Sequence, residues 1–360
     1  MIDWKAALRR NGILRDMRKL IDSFGLPRLI IALFLLFLFI LAPFGGISIS
    51  RSIGDVLMRF GQNAVLVLAM VPMIHSGCGL NFGLPLGIIA GLLGSTLAIE
   101  MNVAGPMSFA IAIVIACAFA IVFGFVYGQL LNRVKGGEMM IATYVGYAIV
   151  SFMCMMWLLL PYRHPNMVWG FAGTGLRTTI STEGYYFHVL SDFLAFDLLG
   201  VRIPTGSFLF FALLAFGMWA FLHTKTGTAM TAVGSNPNFA RASGINIDGI
   251  RTLSVILSTV LGAIGILVYQ QAFGFIQLYM GPFYMALPAV SAILIGGASV
   301  NKASIVNVII GTILFQGIVT MTPSVINSLM QTDMSEVIRI IVSNGMILYA
   351  LTRKTEGSNE

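Results

Sequence analysis

Residues 224–250 read TKTGTAMTAVGSNPNFARASGINIDGI. Apolar runs stand on either side, Phe208 to Leu222 before and Leu253 to Tyr269 after. The stretch itself is polar, with Lys225, Arg241 and Asp248 in it and Arg251 at its far edge. A connection this long between packed elements is uncommon unless it has structure of its own or a task. Its middle predicts one short helix. Asn236 can act as N-cap, Pro237 sits at the first helical position, and Gly244 stands where a left-handed C-terminal cap is wanted. An ordinary capped loop has the same local features, so the residues around it have to decide between the two.

Those residues are overwhelmingly apolar. Of 360 residues 58% are hydrophobic and 10% charged, with a mean hydropathy of +0.91. No soluble domain hides that much apolar surface, and the class is a polytopic membrane protein. Backbone polar groups must be satisfied inside lipid, which leaves helices or a closed barrel. The apolar runs are long and do not alternate, so helices are expected. An all-α fold of about ten transmembrane helices follows, with spans near 29–44, 56–75, 86–99, 108–131, 139–160, 206–222, 251–272, 283–300, 303–321 and 336–352. Residues 1–28 hold seven Lys or Arg among apolar residues at helical spacing. They read as a basic amphipathic cytoplasmic tail on the membrane surface, or simply as a positive-inside tail. A cleaved signal peptide is not expected, because no small-x-small site follows the first apolar run before Phe44.

Charge orients the spans. With the N-terminus inside and strict alternation, 15 of the 21 Lys and Arg fall on the cytoplasmic side and 6 outside. Cytoplasmic loops carry the excess of Lys and Arg, so both termini are expected inside. The net charge of +7 is explained in this way without nucleic acid. The transmembrane domain then covers 29–352, with an extracytoplasmic region over 161–205, the cytoplasmic stretch 224–250, and a cytoplasmic tail over 353–360. Five spans precede the 161–205 region and five follow it, so the halves face opposite ways, a common transporter plan. LPLGIIAGLLG, from Leu84, lines up with LPAVSAILIGG, from Leu287, each opening the third span of its half. Three of eleven positions are identical, which fits either an inverted repeat or chance.

Catalytic and metal sites are not expected. Cys78, Cys117 and Cys154 are far apart, and the four histidines are equally scattered. No G-x-x-x-x-G-K-[ST] occurs. No carboxylate stands mid-span, whereas ion-driven transporters usually need buried ionisable groups. Energy is therefore expected from outside the chain.

The residues of the opening stretch say from where. Thr226-Gly227, Ala232-Val233-Gly234-Ser235-Asn236-Pro237 and Ala240-Arg241-Ala242-Ser243-Gly244-Ile245 resemble the cytoplasmic coupling loop of the ribose and branched-chain amino-acid type permeases of ABC importers. Leu287-Pro288-Ala289-Val290-Ser291-Ala292, Gly296-Gly297-Ala298-Ser299 and Gly311-Thr312 are similar to further segments of that family. The resemblance covers most of residues 60–350. It implies a permease subunit in a bacterial plasma (inner) membrane, paired with itself or a second permease above ABC ATPase subunits, and served by an extracytoplasmic solute-binding protein. ATP would be bound by the partner subunit, with no cofactor held here. Gly234, Asn236, Pro237, Ala240, Arg241 and Gly244 would couple to the ATPase. Two departures, Asn301-Lys302-Ala303 and Asn81 in place of the acid usual in sugar permeases, leave the substrate class open.

Paired broken segments point to a transport path. Here they are 75–85 and 281–288. His75, Asn81, Phe82, Gln270, Gln271, Gln277, Phe273, Phe283 and Tyr284 lie near them. Amides and aromatic rings together suit a neutral polar solute. Each of these residues can equally be an interface anchor or a packing residue. A monosaccharide is expected first, with a nucleoside or branched-chain amino acid as alternatives. An ion-coupled secondary transporter is the rival of another class, and a membrane enzyme the third.

Overall fold

The computed structural model describes residues 26–169, 175–198, 200–299 and 302–330, together with positions 337, 340, 341, 344 and 345. The amphipathic helix expected over 1–28 lies almost wholly outside the described residues. The C-terminal tail lies outside them entirely, as does most of the span expected over 336–352.

Twelve α-helices carry the described fold: α1 Leu26–Leu41, α2 Ile49–Leu68, α3 Met70–His75, α4 Leu84–Glu100, α5 Pro106–Arg133, α6 Glu138–Leu159, α7 Thr205–Leu222, α8 Lys225–Ser235, α9 Pro237–Ala242, α10 Ile247–Phe273, α11 Gly281–Ile295 and α12 Ile305–Met330. Among the described residues, seven helical stretches are long and apolar enough to cross a membrane, and α4 and α11 are shorter apolar helices. The chain is a multi-pass, mostly helical membrane protein. It is not purely helical. β1 (Thr179–Ser181) pairs antiparallel with β4 (Phe275–Gln277), and β2 (Phe196–Leu198) with β3 (Val201–Ile203). Three-residue strands at span ends leave no periodic trace in sequence, and the β1–β4 partners are far apart along the chain.

The core is built on α10, which packs against α2, α4 and α5. Small residues let these backbones approach, as in other membrane bundles. A Cβ on Gly87 would lie 2.6 Å from the Thr259 carbonyl oxygen, and one on Gly91 2.6 Å from that of Ala263. α12 packs against α1, α2 and α11. The outer faces of α5, α6 and α7 expose large apolar side chains such as Phe125, Phe152 and Phe216, as expected where lipid is the solvent.

Two expectations need correction. The second span, expected over 56–75, is longer and covers Ile49–His75. It breaks at Ala69, because Pro72 has no N–H to give to the Leu68 carbonyl. The two Leu-Pro segments also do not both open a span. Pro85 stands in the first turn of α4, but Pro288 lies inside α11, whose start is set earlier by Gly281 and Pro282.

The helix ends sort into two groups. One end of the bundle gathers 75–79, 133–138, 223–250, 296–299 and 302–304, tied by His75 to Thr231 and Ala303, Lys135 to Asp248, and Glu138 to Arg251. The opposite end gathers Glu100, 162–169, 175–191 and 270–279, tied by Glu100 to the Arg163 and His164 amides and by Gln271 to Ser191. In the described part of the 161–205 region, Tyr162, Tyr185 and Tyr186 are buried in the main core.

Candidate functional site

The stretch that opened the sequence reading holds two helices, not one. Thr224 caps α8 by accepting the Gly227 amide at 3.2 Å, and Asn236 caps α9 by accepting the Phe239 amide at 3.0 Å. Pro237 takes the first helical position of α9. The exit is a Schellman motif. The Ile245 amide reaches back to the Ala240 carbonyl and the Gly244 amide to Arg241, both at 3.0 Å, and Gly244 has φ +77°. Asn246 then caps α10 through the Gly249 amide at 3.1 Å. Beneath α9, Ala240 packs with Val233 and Ile247 in a small apolar cluster of its own.

The sequence signal for α8 was present. Thr224 is a good N-cap, and Gly227, Met230, Val233 and Gly234, the buried residues of α8, recur at helical spacing. Sequence reasoning also passed over Phe239. It is the single aromatic residue in 224–250 and is 64% exposed. Asn236, Pro237, Arg241 and Gly244 are exposed around it, whereas Gly234 and Ala240 are buried. α9 therefore presents one aromatic knob, a nearby guanidinium and a polar rim on a rigid, doubly capped turn. Aromatic and Arg anchors of this kind dominate binding energy at protein interfaces.

The segment is joined to the bundle at two places. Gly234 lies backbone to backbone against Gly77: a Cβ on Gly77 would stand 2.9 Å from the Gly234 Cα, and one on Gly234 would overlap the His75 carbonyl oxygen. The half-buried His75 ring spans from Thr231 of α8 (Nδ1 to Oγ1, 3.2 Å) to the Ala303 carbonyl (Nε2 to O, 2.7 Å).

The remaining residues of the expected path fall at different depths. Asn81 is buried, donates to Ser258 Oγ at 2.7 Å and accepts from Tyr127 Oη at 3.3 Å. Phe82 is partly buried between the two larger apolar clusters. Gln270 and Gln271 end α10 at the opposite end of the bundle. The Gln270 carbonyl oxygen accepts from Ser95 (2.5 Å) and Tyr186 (3.1 Å), and its amide nitrogen is buried without a partner. Gln271 accepts from the amides of Leu190 and Ser191. Phe273 is 40% and Tyr284 69% exposed. The Phe283 ring lies tilted against Tyr147 of α6, with centroids 4.6 Å apart, and Gln277 lies in β4. Among the described residues, no cluster of three His, Cys, Asp or Glu could hold a metal ion.

Residues 52–350 match the family described as branched-chain amino acid transport system / permease component. The chain belongs to this family. Nothing among curated proteins or solved structures matches it significantly. The matched residues include α8, α9 and every residue assigned above to the transport path.

Proposed function

We propose that this permease component is the membrane subunit of a bacterial ABC importer, carrying a small neutral polar solute across the inner membrane. The observation that carries the proposal is α9, capped at both ends and exposing Phe239 and Arg241. A short capped helix that exposes an aromatic ring and a guanidinium suits docking to a partner subunit. ATPase subunits would grip it and pass their ATP-driven closure to the spans, which then alternate access to the two sides. A second permease, identical or homologous, and an extracytoplasmic binding protein complete the assembly. Both termini are assigned to the cytoplasm from the distribution of Lys and Arg.

The helix contacts support two inverted halves. Counting α2–α3 as one span, three helix pairings recur when each partner is exchanged for the span five places away. α4 packs on α5 as α11 does on α12; α10 packs on α5 as α2 does on α12; α10 packs on α4 as α2 does on α11. Inverted repeats commonly place the substrate at the interface of their two halves, and α2 meets α10 there.

For the path itself we assign the ring faces of Phe273, Phe283 and Tyr284, with Asn81 and Phe82 deeper. Gln270 and Gln271 are fully buried in this conformation and would offer their amides to a solute only once the segment packed over them moves. A monosaccharide is the first assignment. A branched-chain amino acid is the second, favoured by the family description.

Co-purification with candidate ATPase and binding-protein subunits, followed by ATPase assays in lipid with each solute class, tests the proposal. Stimulation by one class identifies it. Uptake that survives ATP depletion but collapses with the proton gradient would instead support an ion-coupled transporter.

A further inference from the structure

Six residues long, α3 is cut from α2 at Ala69 and held at both ends by a single face of α10. Ser258 Oγ donates to the Ala69 carbonyl at 2.6 Å, and Ser254 Oγ donates to Ser76 Oγ at 2.6 Å, just past the other end. Ser254 and Ser258 are four residues apart, so they lie one above the other on one side of α10. Two polar pivots on one line define an axis about which α3 would roll. His75 stands off that line and is the point at which α8 takes hold, through Thr231 on one side and the Ala303 carbonyl on the other. The Gly77–Gly234 contact puts the C-terminal turn of α8 directly on the turn after α3. Beyond that turn, Asn81 shares Ser258 with the Ala69 carbonyl.

From this arrangement we infer that α3 is a crank, with His75 as its handle, which carries displacement of the coupling segment into the bundle and on to Asn81. The inference rests on the importer reading above. His75 is a positioning residue here. It acts through α3, and its ring suits the task because it bonds at both nitrogens while staying rigid. Asn81 is the first candidate path residue the roll would move, because it shares a pivot with α3.

Cys78 reports the motion. Its amide is bonded to the Met73 carbonyl at 3.1 Å, so it travels with α3. It also lines a cleft of about 400 Å³ between the 77–79 turn and residues 136–140. The experiment uses the full chain co-purified with its ATPase in liposomes, with Cys117→Ala and Cys154→Ala leaving Cys78 as the one thiol of the permease. Alkylation of Cys78 by N-ethylmaleimide is timed with and without MgATP and orthovanadate.

The expected result is a labelling rate that changes with nucleotide, a loss of that change in His75→Ala, and its return in His75→Gln, which keeps one donor and one acceptor. Thr231→Val severs the same link from the exposed side of α8 and should reproduce the loss even if His75→Ala assembles poorly. A nucleotide response that persists in both His75→Ala and Thr231→Val overturns the inference. So does an assembled complex whose Cys78 labelling ignores nucleotide. Failure of the unmutated chain to retain any ATPase would overturn the importer reading instead.

Discussion

Arg251 and Glu138 form an ion pair at the α9 end of the bundle, with side chains only 10% and 15% exposed. Removing one partner leaves a charge stranded in low dielectric, which costs roughly 3–5 kcal/mol. Lys135 and Asp248 are paired nearby at 2.6 Å, but are about half exposed, and an exposed pair contributes about 0–1 kcal/mol. Thermal unfolding in detergent should therefore separate the two cleanly: Glu138→Ala lowers the melting temperature markedly, and Lys135→Ala barely moves it. Equal shifts would contradict this account of burial. Sequence alone gave no sign of the difference. All four residues sit at span ends among other charges, and only the tertiary fold distinguishes a covered pair from a wet one.

At the scale of elements, α9 depends on its two ends. Substituting a β-branched residue at Gly244 forces an L side chain into the left-handed region, at a cost of about 1–2 kcal/mol, and Asn236→Ala removes a cap worth about 1 kcal/mol. Gly244→Val is expected to abolish ATPase retention and transport together, while membrane insertion persists. Phe239→Ala keeps the helix and should still weaken retention, because it removes the anchor and not the frame. Pull-down of the ATPase checks both, and retention by Phe239→Ala at the level of the unmutated chain would shift the docking surface elsewhere. The caps of α9 were legible because Asn, Pro and Gly each act locally. α8 was obscured by its polar composition, since a helix lying outside the membrane carries no long apolar run. The break at Ala69 was obscured for the opposite reason, because continuous apolar character masks a proline.

For the molecule as a whole, the span pattern was legible because the bilayer sets a length that composition reveals directly. How the outer segment closes over the bundle was not. Tyr186 and Gln270 meet at 3.1 Å across a long sequence separation, and no local pattern encodes such a meeting. The outer segment is held at Gln271 by the amides of Leu190 and Ser191. Gln271→Ala should speed hydrogen exchange at those two amides and leave the far end of the bundle protected. Slow exchange there in the variant would mean that the segment is anchored elsewhere.

The contact between Gly77 and Gly234 has a genetic consequence. A misfit at a packed joint is ordinarily relieved by a second-site change that trims the opposing side chain. Here neither residue has a side chain to trim. Gly234→Ala should therefore yield no suppressors at position 77, and revertants, if selected for uptake, should restore glycine or loosen the attachment around Thr231.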